Sequence, residues 1–360
     1  MLCTGDDMIY ANEGGLLFEH KVKLKPPNSS YEITSDIPKN STNIFRVDFK
    51  PTNPLFYNKD LIPNWIDVSL YSISRKVGKR ITALHIMNKC FMSKNPYILE
   101  PCAILYCHEN ETDLLRILPF LIDLSIQLKC DIISFDYLGF GFSKEKAKNE
   151  TIFDDGEEAI KFSTSYLKYK IENVILMGKG IGCMTAVYIA NLNEYHYCKA
   201  LILCMPIIGN NIIDIKMMRS IICKCLLIME VENKDDYEDN DVINLCREIQ
   251  NEKEWLTTKK KNLGNKFSGF KKYMEETKED VYTNHRRKFI LKIRDYVYPE
   301  EENIKTKKKE NSSCGDSTQL ETNSNFSLGN KNIIFDDVNE IKKIENIEEK
   351  DIKINNNEDY

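Results

Sequence analysis

"MGKGIGCM", residues 177–184, follows the apolar run "NVIL" and precedes "TAVYIANLN", an apolar stretch with helical character. Gly178, Gly180 and Gly182 alternate where a buried strand must turn sharply into a helix packed close behind it. Glycine suits such a turn because it enters φ > 0 freely and carries no Cβ to hold neighbouring backbone away. A dinucleotide-binding turn would need G-x-G-x-x-G near the first strand, with an acidic residue about 20 positions on. This turn lies late among the strands and lacks the third spacing. A P-loop is excluded too, because no G-K-[ST] stands at the required distance after a Gly.

Outward from the turn, short apolar segments alternate with amphipathic ones. "CAILYC" (102–107), "CDIISFDY" (130–137), "NVILMG" (173–178) and "ALILCMP" (200–206) read as buried strands. "TDLLRILPFLIDLSIQLK" (112–129), "FDDGEEAIKFSTSYLKYK" (153–170) and "GIGCMTAVYIANLN" (180–193) read as the helices between them. Buried strands separated by helices mean βαβ units, right-handed crossovers and a mostly parallel sheet. "KCLLIMEVE" (224–232) adds a strand and "EWLTT" (254–258) a further one. Upstream, residues 65–89 alternate apolar and polar around "KVGK", which predicts a β-hairpin. "GNKFSGFKKYMEETKEDVYTNHRRKFILKIRDYVY" (264–298) predicts one or two helices ending near Pro299.

The pattern divides the chain into residues 1–64, a partly irregular extension expected to hug the surface; residues 65–298, the α/β domain; and residues 299–360, a charged, Asn-rich tail expected to be disordered. The net charge of −5 sits in that tail: from Glu300 onward there are 15 acidic and 9 basic residues. The remainder is close to neutral, which argues against a nucleic-acid partner. The 12 cysteines are scattered, and Cys102, Cys107, Cys130 and Cys204 lie in apolar runs as small buried hydrophobes. With no C-x-x-C pair or His-rich partner, neither a metal nor another cofactor is expected. No secretory signal is evident, and no apolar run nears the roughly 20 residues a membrane span needs. The expectation is a cytoplasmic protein.

Taken in order, the motifs resemble the α/β-hydrolase superfamily, and within it the alpha/beta hydrolase domain-containing protein 17 group. That group reads H-G-N-x-x-D-L after its third strand, F/Y-D-Y-x-G-Y-G-x-S after the fourth, N-V-I-L-x-G-x-S-I-G at the next turn, and then I-L-x-S-P. This chain has His108-Glu109-Asn110, Phe135-Asp136-Tyr137 with Gly139, Gly141 and Ser143, then Gly178-Lys179-Gly180-Ile181-Gly182, then Ile202-Leu203-Cys204-Met205-Pro206. The likeness covers roughly residues 66 to 260. It implies an α/β-hydrolase fold, a mostly parallel central sheet with helices on both faces, and acyl-protein thioesterase chemistry.

The same resemblance shows what is absent. Its nucleophile elbow carries a serine where Gly180 stands, flanked by small residues that Gly178 and Gly182 match. The backbone N–H after the nucleophile, half of the oxyanion hole, belongs here to Ile181. The loop's H-G is His108-Glu109, so a carboxylate stands where the chain needs a flexible glycine; Glu109 either points inward against a developing oxyanion or outward to solvent. The triad acid falls on Asn233 without gaps, or on Asp235, Asp236, Asp239 or Asp241 with an insertion, Asp239 and Asp241 being the candidates kept. The triad histidine would stand near Asn265, and none is there; His20, His85, His196 and His285 lie elsewhere, and His108 belongs to the oxyanion loop. Of substitute nucleophiles, Cys183 faces helix packing and Lys179 has no evident depressing neighbour.

Without serine and histidine there is neither an attacking alkoxide nor a proton shuttle. The sequence reading is a pseudo serine hydrolase, a binding or regulatory module whose partner is a protein or an acyl-like ligand. The alternative is an active thioesterase or esterase with a non-standard nucleophile. Peripheral membrane contact, through a single acyl chain on Cys3, would be weak.

Overall fold

The computed structural model describes residues 23–38, 41–54, 57–75, 79–91, 101–143, 145–206, 215–231, 253–259, 289–294 and 296–298, with two short strands at Tyr10–Ala11 and Leu17–Phe18. Its central element is a nine-stranded sheet. In chain order the strands are β1 (Phe45–Val47), β2 (Ile66–Ser74), β3 (Arg80–Asn88), β4 (Ala103–Cys107), β5 (Asp131–Phe135), β6 (Val174–Lys179), β7 (Ala200–Cys204), β8 (Lys224–Val231) and β9 (Lys253–Lys259). Across the sheet they run β1-β2-β3-β5-β4-β6-β7-β8-β9. The first three are antiparallel to their neighbours, and everything from β5 onward is parallel.

Strands β4, β5 and β7 are buried at every residue, as parallel strands covered on both faces must be. Alternation assigns each side chain to one of two cores. Leu105, Cys107, Val174, Leu176, Leu201 and Leu203 face one; Ile104, Tyr106, Ile175, Met177 and Ile202 face the other. The first core is covered by α2 (Asn149–Lys161) and α3 (Gly182–Asn191), the second by α1 (Leu114–Leu128) and helical residues 289–294. Helix α1 turns Leu114, Leu118, Leu121 and Leu128 inward, and Asp113 caps its start by accepting from Arg116 N–H at 3.2 Å. Helix α3 is buried from Gly182 to Ala190, which explains its apolar composition all round.

Two features depart from the sequence reading. Helix α2 starts at Asn149, ahead of the expected 153, and closes in a π-helical turn over Phe162–Tyr166. The segment before residue 65 enters the domain: β1 extends the sheet and Tyr31 is fully buried in the second core. An isolated apolar residue such as Tyr31 carries no periodicity, so its burial is invisible locally; the alternation of "NIFRVDFKP" around Val47 is visible but does not say which strand it pairs with. From the expected late helices, Phe289, Ile290, Ile293 and Tyr296 pack into the second core. The tail from residue 299 lies outside the described residues.

Buried Arg75 ties α2 to the end of β2. Arg75, just past β2, places Nε 2.9 Å from Asp155 Oδ1 and Nη2 3.0 Å from Asp154 Oδ2. Asp155 Oδ2 also accepts from Leu138 N–H at 2.8 Å. Burial nonetheless pushes the Asp155 carboxyl up to about 7 from 3.8, against the opposing pull of Arg75. The native state therefore holds a proton that the unfolded chain releases, so stability falls as pH rises from about 4 to 7. The fall is at most about 4 kcal/mol. Asp155→Asn removes that slope in denaturant titrations at pH 4.5 and 7.5, and an unchanged slope would refute the assignment.

Candidate nucleophile-elbow site

β6 ends at Lys179, and Gly180 takes φ +55° before α3 begins at Gly182. This left-handed conformation costs other L-residues about 1–2 kcal/mol. Gly180 N–H donates to Cys204 O at the end of β7, 3.1 Å away, and Gly180 O accepts from Cys183 N–H at 3.2 Å. The flanking glycines are required by approach distances. A Cβ on Gly178 would stand 2.4 Å from Gly182 O, and one on Gly182 would stand 2.0 Å from Cys107 O. The start of α3 thus lies directly on the end of β4, and Ile181 is fully buried.

The loop after β4 covers this turn. A Cβ on Gly180 would meet Glu109 Cβ at 3.3 Å and Glu109 Cα at 3.8 Å. The Glu109 carboxylate lies along the turn: Oε1 pairs with Lys179 Nζ at 2.9 Å, and Oε2 accepts from the Tyr106 hydroxyl at 3.3 Å. Both side chains are about one-fifth exposed (21% and 20%), so the pair closes across the elbow at its rim. Of the two orientations open to Glu109 in the sequence, the structure takes neither in pure form: the carboxylate is turned over the elbow and neutralised there. Nothing local in "HEN" signals this, because Lys179 lies 70 residues away.

His108 is fully buried between Tyr137 and Phe140, at ring-centroid distances of 4.7 and 5.6 Å. Its Nδ1 donates to Glu109 O at 2.7 Å, and its Nε2 lies 3.3 Å from Asp136 Oδ1. Burial alone would lower its pKa, but Asp136 and then Glu109 outweigh that and hold it raised. Both ring nitrogens face acceptors, so neither is free to take a proton from a nucleophile. Asn110 turns the other way: its Oδ1 accepts from Lys25 N–H at 2.8 Å and its Nδ2 donates to Lys23 O at 2.9 Å. Cys183 Sγ donates to Cys204 O at 3.4 Å from a buried position, and burial raises its thiol pKa well above the ordinary value. That is the opposite of an activated cysteine.

Beyond this cluster, His85 lies in β3 with Nε2 3.1 Å from the Tyr169 hydroxyl, and His196 packs on Tyr197. The candidate acids Asp239 and Asp241, with Asn233, Asn265 and His285, lie outside the described residues. Among the described residues no group of His, Cys, Asp and Glu is arranged to hold a metal ion. No described helix is long and apolar enough to cross a membrane.

No protein-family model matches the chain. Alpha/beta hydrolase domain-containing protein 17C of Xenopus tropicalis is 33% identical over 106 residues, 29% of this chain and 33% of that protein. Alpha/beta hydrolase domain-containing protein aho-3 of Caenorhabditis elegans is 26% identical over 191 residues, 52% of this chain and 51% of that protein. A Pyrococcus furiosus esterase structure superposes with a TM-score of 0.48 at 10% identity, covering 66% of this chain and 95% of that one. The chain is an α/β-hydrolase-fold protein similar to the domain-containing protein 17 group. It spans about a third of the length of the 17C relatives it matches.

Within an α/β-hydrolase, the strand-to-helix turn with its tip in the left-handed region is where the nucleophile stands. Position 180 has that backbone without a side chain. Gly180→Ser should lower stability by about 1–2 kcal/mol, from left-handed strain and the 3.3 Å approach to Glu109. Thermal unfolding measures this, and a serine variant as stable as the parent would show the turn to be unstrained.

Proposed function

We propose that this α/β-hydrolase-fold protein is a pseudo serine hydrolase that acts as a binding or regulatory module and does not turn over esters or thioesters. The observation that carries the reading is Gly180 at φ +55° with Glu109 seated over it. A serine hydrolase needs a hydroxyl at the elbow, an imidazole to take its proton, and an empty volume where the tetrahedral intermediate forms. Here the hydroxyl is missing, and the Glu109–Lys179 pair stands beside the volume the intermediate would need.

The competing reading, an active thioesterase with another nucleophile, finds less support. Cys183 is buried, hydrogen-bonded to Cys204 O and raised in pKa, and the Lys179 ammonium is held in an ion pair. What remains of the machinery, backbone donors and a binding surface, accelerates hydrolysis only weakly. The group's acyl substrates make an acyl-like ligand or an S-acylated protein the natural class to test for binding.

A fluorophosphonate probe tests the reading. The purified chain should label no more than its heat-denatured control, and Gly180→Ser should label no better, since a serine without a base stays protonated. Labelling of the parent above the control overturns the proposal. Labelling of Gly180→Ser alone would show that an imidazole does reach the elbow.

A further inference from the structure

The covering loop is itself held from outside. Residues 23–31 run along residues 108–113 and bond to them from Lys23, Lys25 and Ser30. Lys25 uses both backbone groups: its N–H donates to Asn110 Oδ1 at 2.8 Å, and its carbonyl accepts from Glu111 N–H at 3.2 Å. Asn110 Nδ2 returns a bond to Lys23 O at 2.9 Å, so one side-chain amide pairs with two backbone groups as a neighbouring strand would. Lys25 Nζ pairs with Glu111 Oε1 at 2.7 Å. Further along, Asn28 O accepts from Arg116 Nη2 at 3.2 Å, and Ser30 N–H donates to Asp113 Oδ2 at 2.7 Å. The Ser30 hydroxyl also donates to Asp113, and the Tyr31 hydroxyl to Asp136.

The two ends of this segment differ. Ser30, Tyr31, Asp113 and Asp136 are buried, whereas the Lys25–Glu111 pair is about half exposed, at 55% and 49%. Pro26 and Pro27 between the ends have fixed φ and no N–H, which makes a stiff arm that does not compete for the bonds on either side. The loop also carries strain: Glu111 has φ +63°, in the left-handed region. Such a conformation persists only where the surroundings over-determine it, and Lys25 grips Glu111 through both its N–H and its carboxylate.

We infer that residues 23–31 form a strap, anchored at Ser30 and Tyr31, that holds residues 108–113 down so that Glu109 stays over Gly180. The strap and loop open as one unit, and access to the elbow is then set by whatever occupies or displaces the amino-terminal segment. The inference concerns conformation and holds whether or not the chain is catalytic.

Asn110→Ala in the full chain tests it, with hydrogen exchange and acylation of Lys179 by an N-hydroxysuccinimide ester as readouts. Exchange should rise in residues 23–28 and in 108–113 together. Lys179 acylation should rise about fivefold for each net hydrogen bond lost, hence about 25-fold for the two that Asn110 makes. Lys25→Pro removes one of those two bonds from the strap side, along with the Lys25–Glu111 ion pair, and should raise exchange in the same two segments, which guards against a folding defect peculiar to either variant. Glu109→Gln should raise Lys179 acylation without altering exchange in 23–28, showing that the label reports the ion pair. Faster exchange in 23–28 with residues 108–113 and Lys179 unchanged would overturn the inference. So would a parent chain whose Lys179 already reacts as fast as it does in Glu109→Gln.

Discussion

The carboxylate of Asp136 joins three segments that are far apart in the chain. Oδ1 accepts from the Leu114 N–H at 3.0 Å and faces His108 Nε2 at 3.3 Å, while Oδ2 takes the Tyr31 hydroxyl. A buried carboxylate left without partners would cost several kcal/mol, so each of these donors is held in place by the need to satisfy it. The start of α1, the loop over the elbow and the amino-terminal strap are thereby fixed to the end of β5. Gly141 belongs to the same arrangement: a Cβ there would stand 1.9 Å from Asp136 Oδ2 and 2.7 Å from the Tyr31 hydroxyl oxygen, at a residue whose φ is already +53°. Of the two glycines in the "GFG" after β5, Gly141 is thus explained by this carboxylate, and Gly139, at φ +91°, by Ala147, whose backbone nitrogen would lie 2.3 Å from a Cβ there.

At the elbow, turn geometry and chemistry reside in different residues. Gly178 and Gly182 let the end of β6, the end of β4 and the start of α3 approach to distances no Cβ would allow. Gly180 needs no such approach; it supplies the left-handed tip and nothing else. A chain can therefore lose the reacting hydroxyl while the strand-to-helix turn stays intact, because no packing contact depends on it. Glu109 Cβ lies 3.3 Å from where a Cβ of residue 180 would stand, and its charge is met by Lys179. A partly exposed pair of this kind adds about 1 kcal/mol at most. Its effect lies in where it puts the loop.

Much of the fold was legible because parallel strands and their helices leave periodic traces. The runs at 102–107, 130–137, 173–178 and 200–206 became β4 to β7, and the hairpin around "KVGK" became β2 and β3. The early start of α2 was missed because "KNET" carries no apolar face. Tyr31 is invisible because a single buried residue in a polar stretch has no period to read, and the alternation at "NIFRVDFKP" does not reveal that β1 pairs with β2. In the site, the elbow glycines could be read directly, since tight turns demand them. The partners of His108, Glu109 and Asn110 could not, since they come from Asp136, Lys179 and residues 23–25.

By itself the sequence determined the order of strands and helices, the sharp turn at 178–182 and the absence of a hydroxyl at position 180. These depend on side-chain alternation, on glycine's freedom and on atom content, all of which are local. Only the tertiary structure decided that Glu109 lies over the turn, that His108 is buried with Nδ1 on Glu109 O and Nε2 facing Asp136, and that residues 23–31 bind the loop. Those outcomes rest on pairings between groups 28 to 105 positions apart, such as Tyr137 with His108 O and Tyr31 with Asp136. No local period encodes such pairings; they exist once the sheet has brought the ends of β4, β5 and β6 side by side.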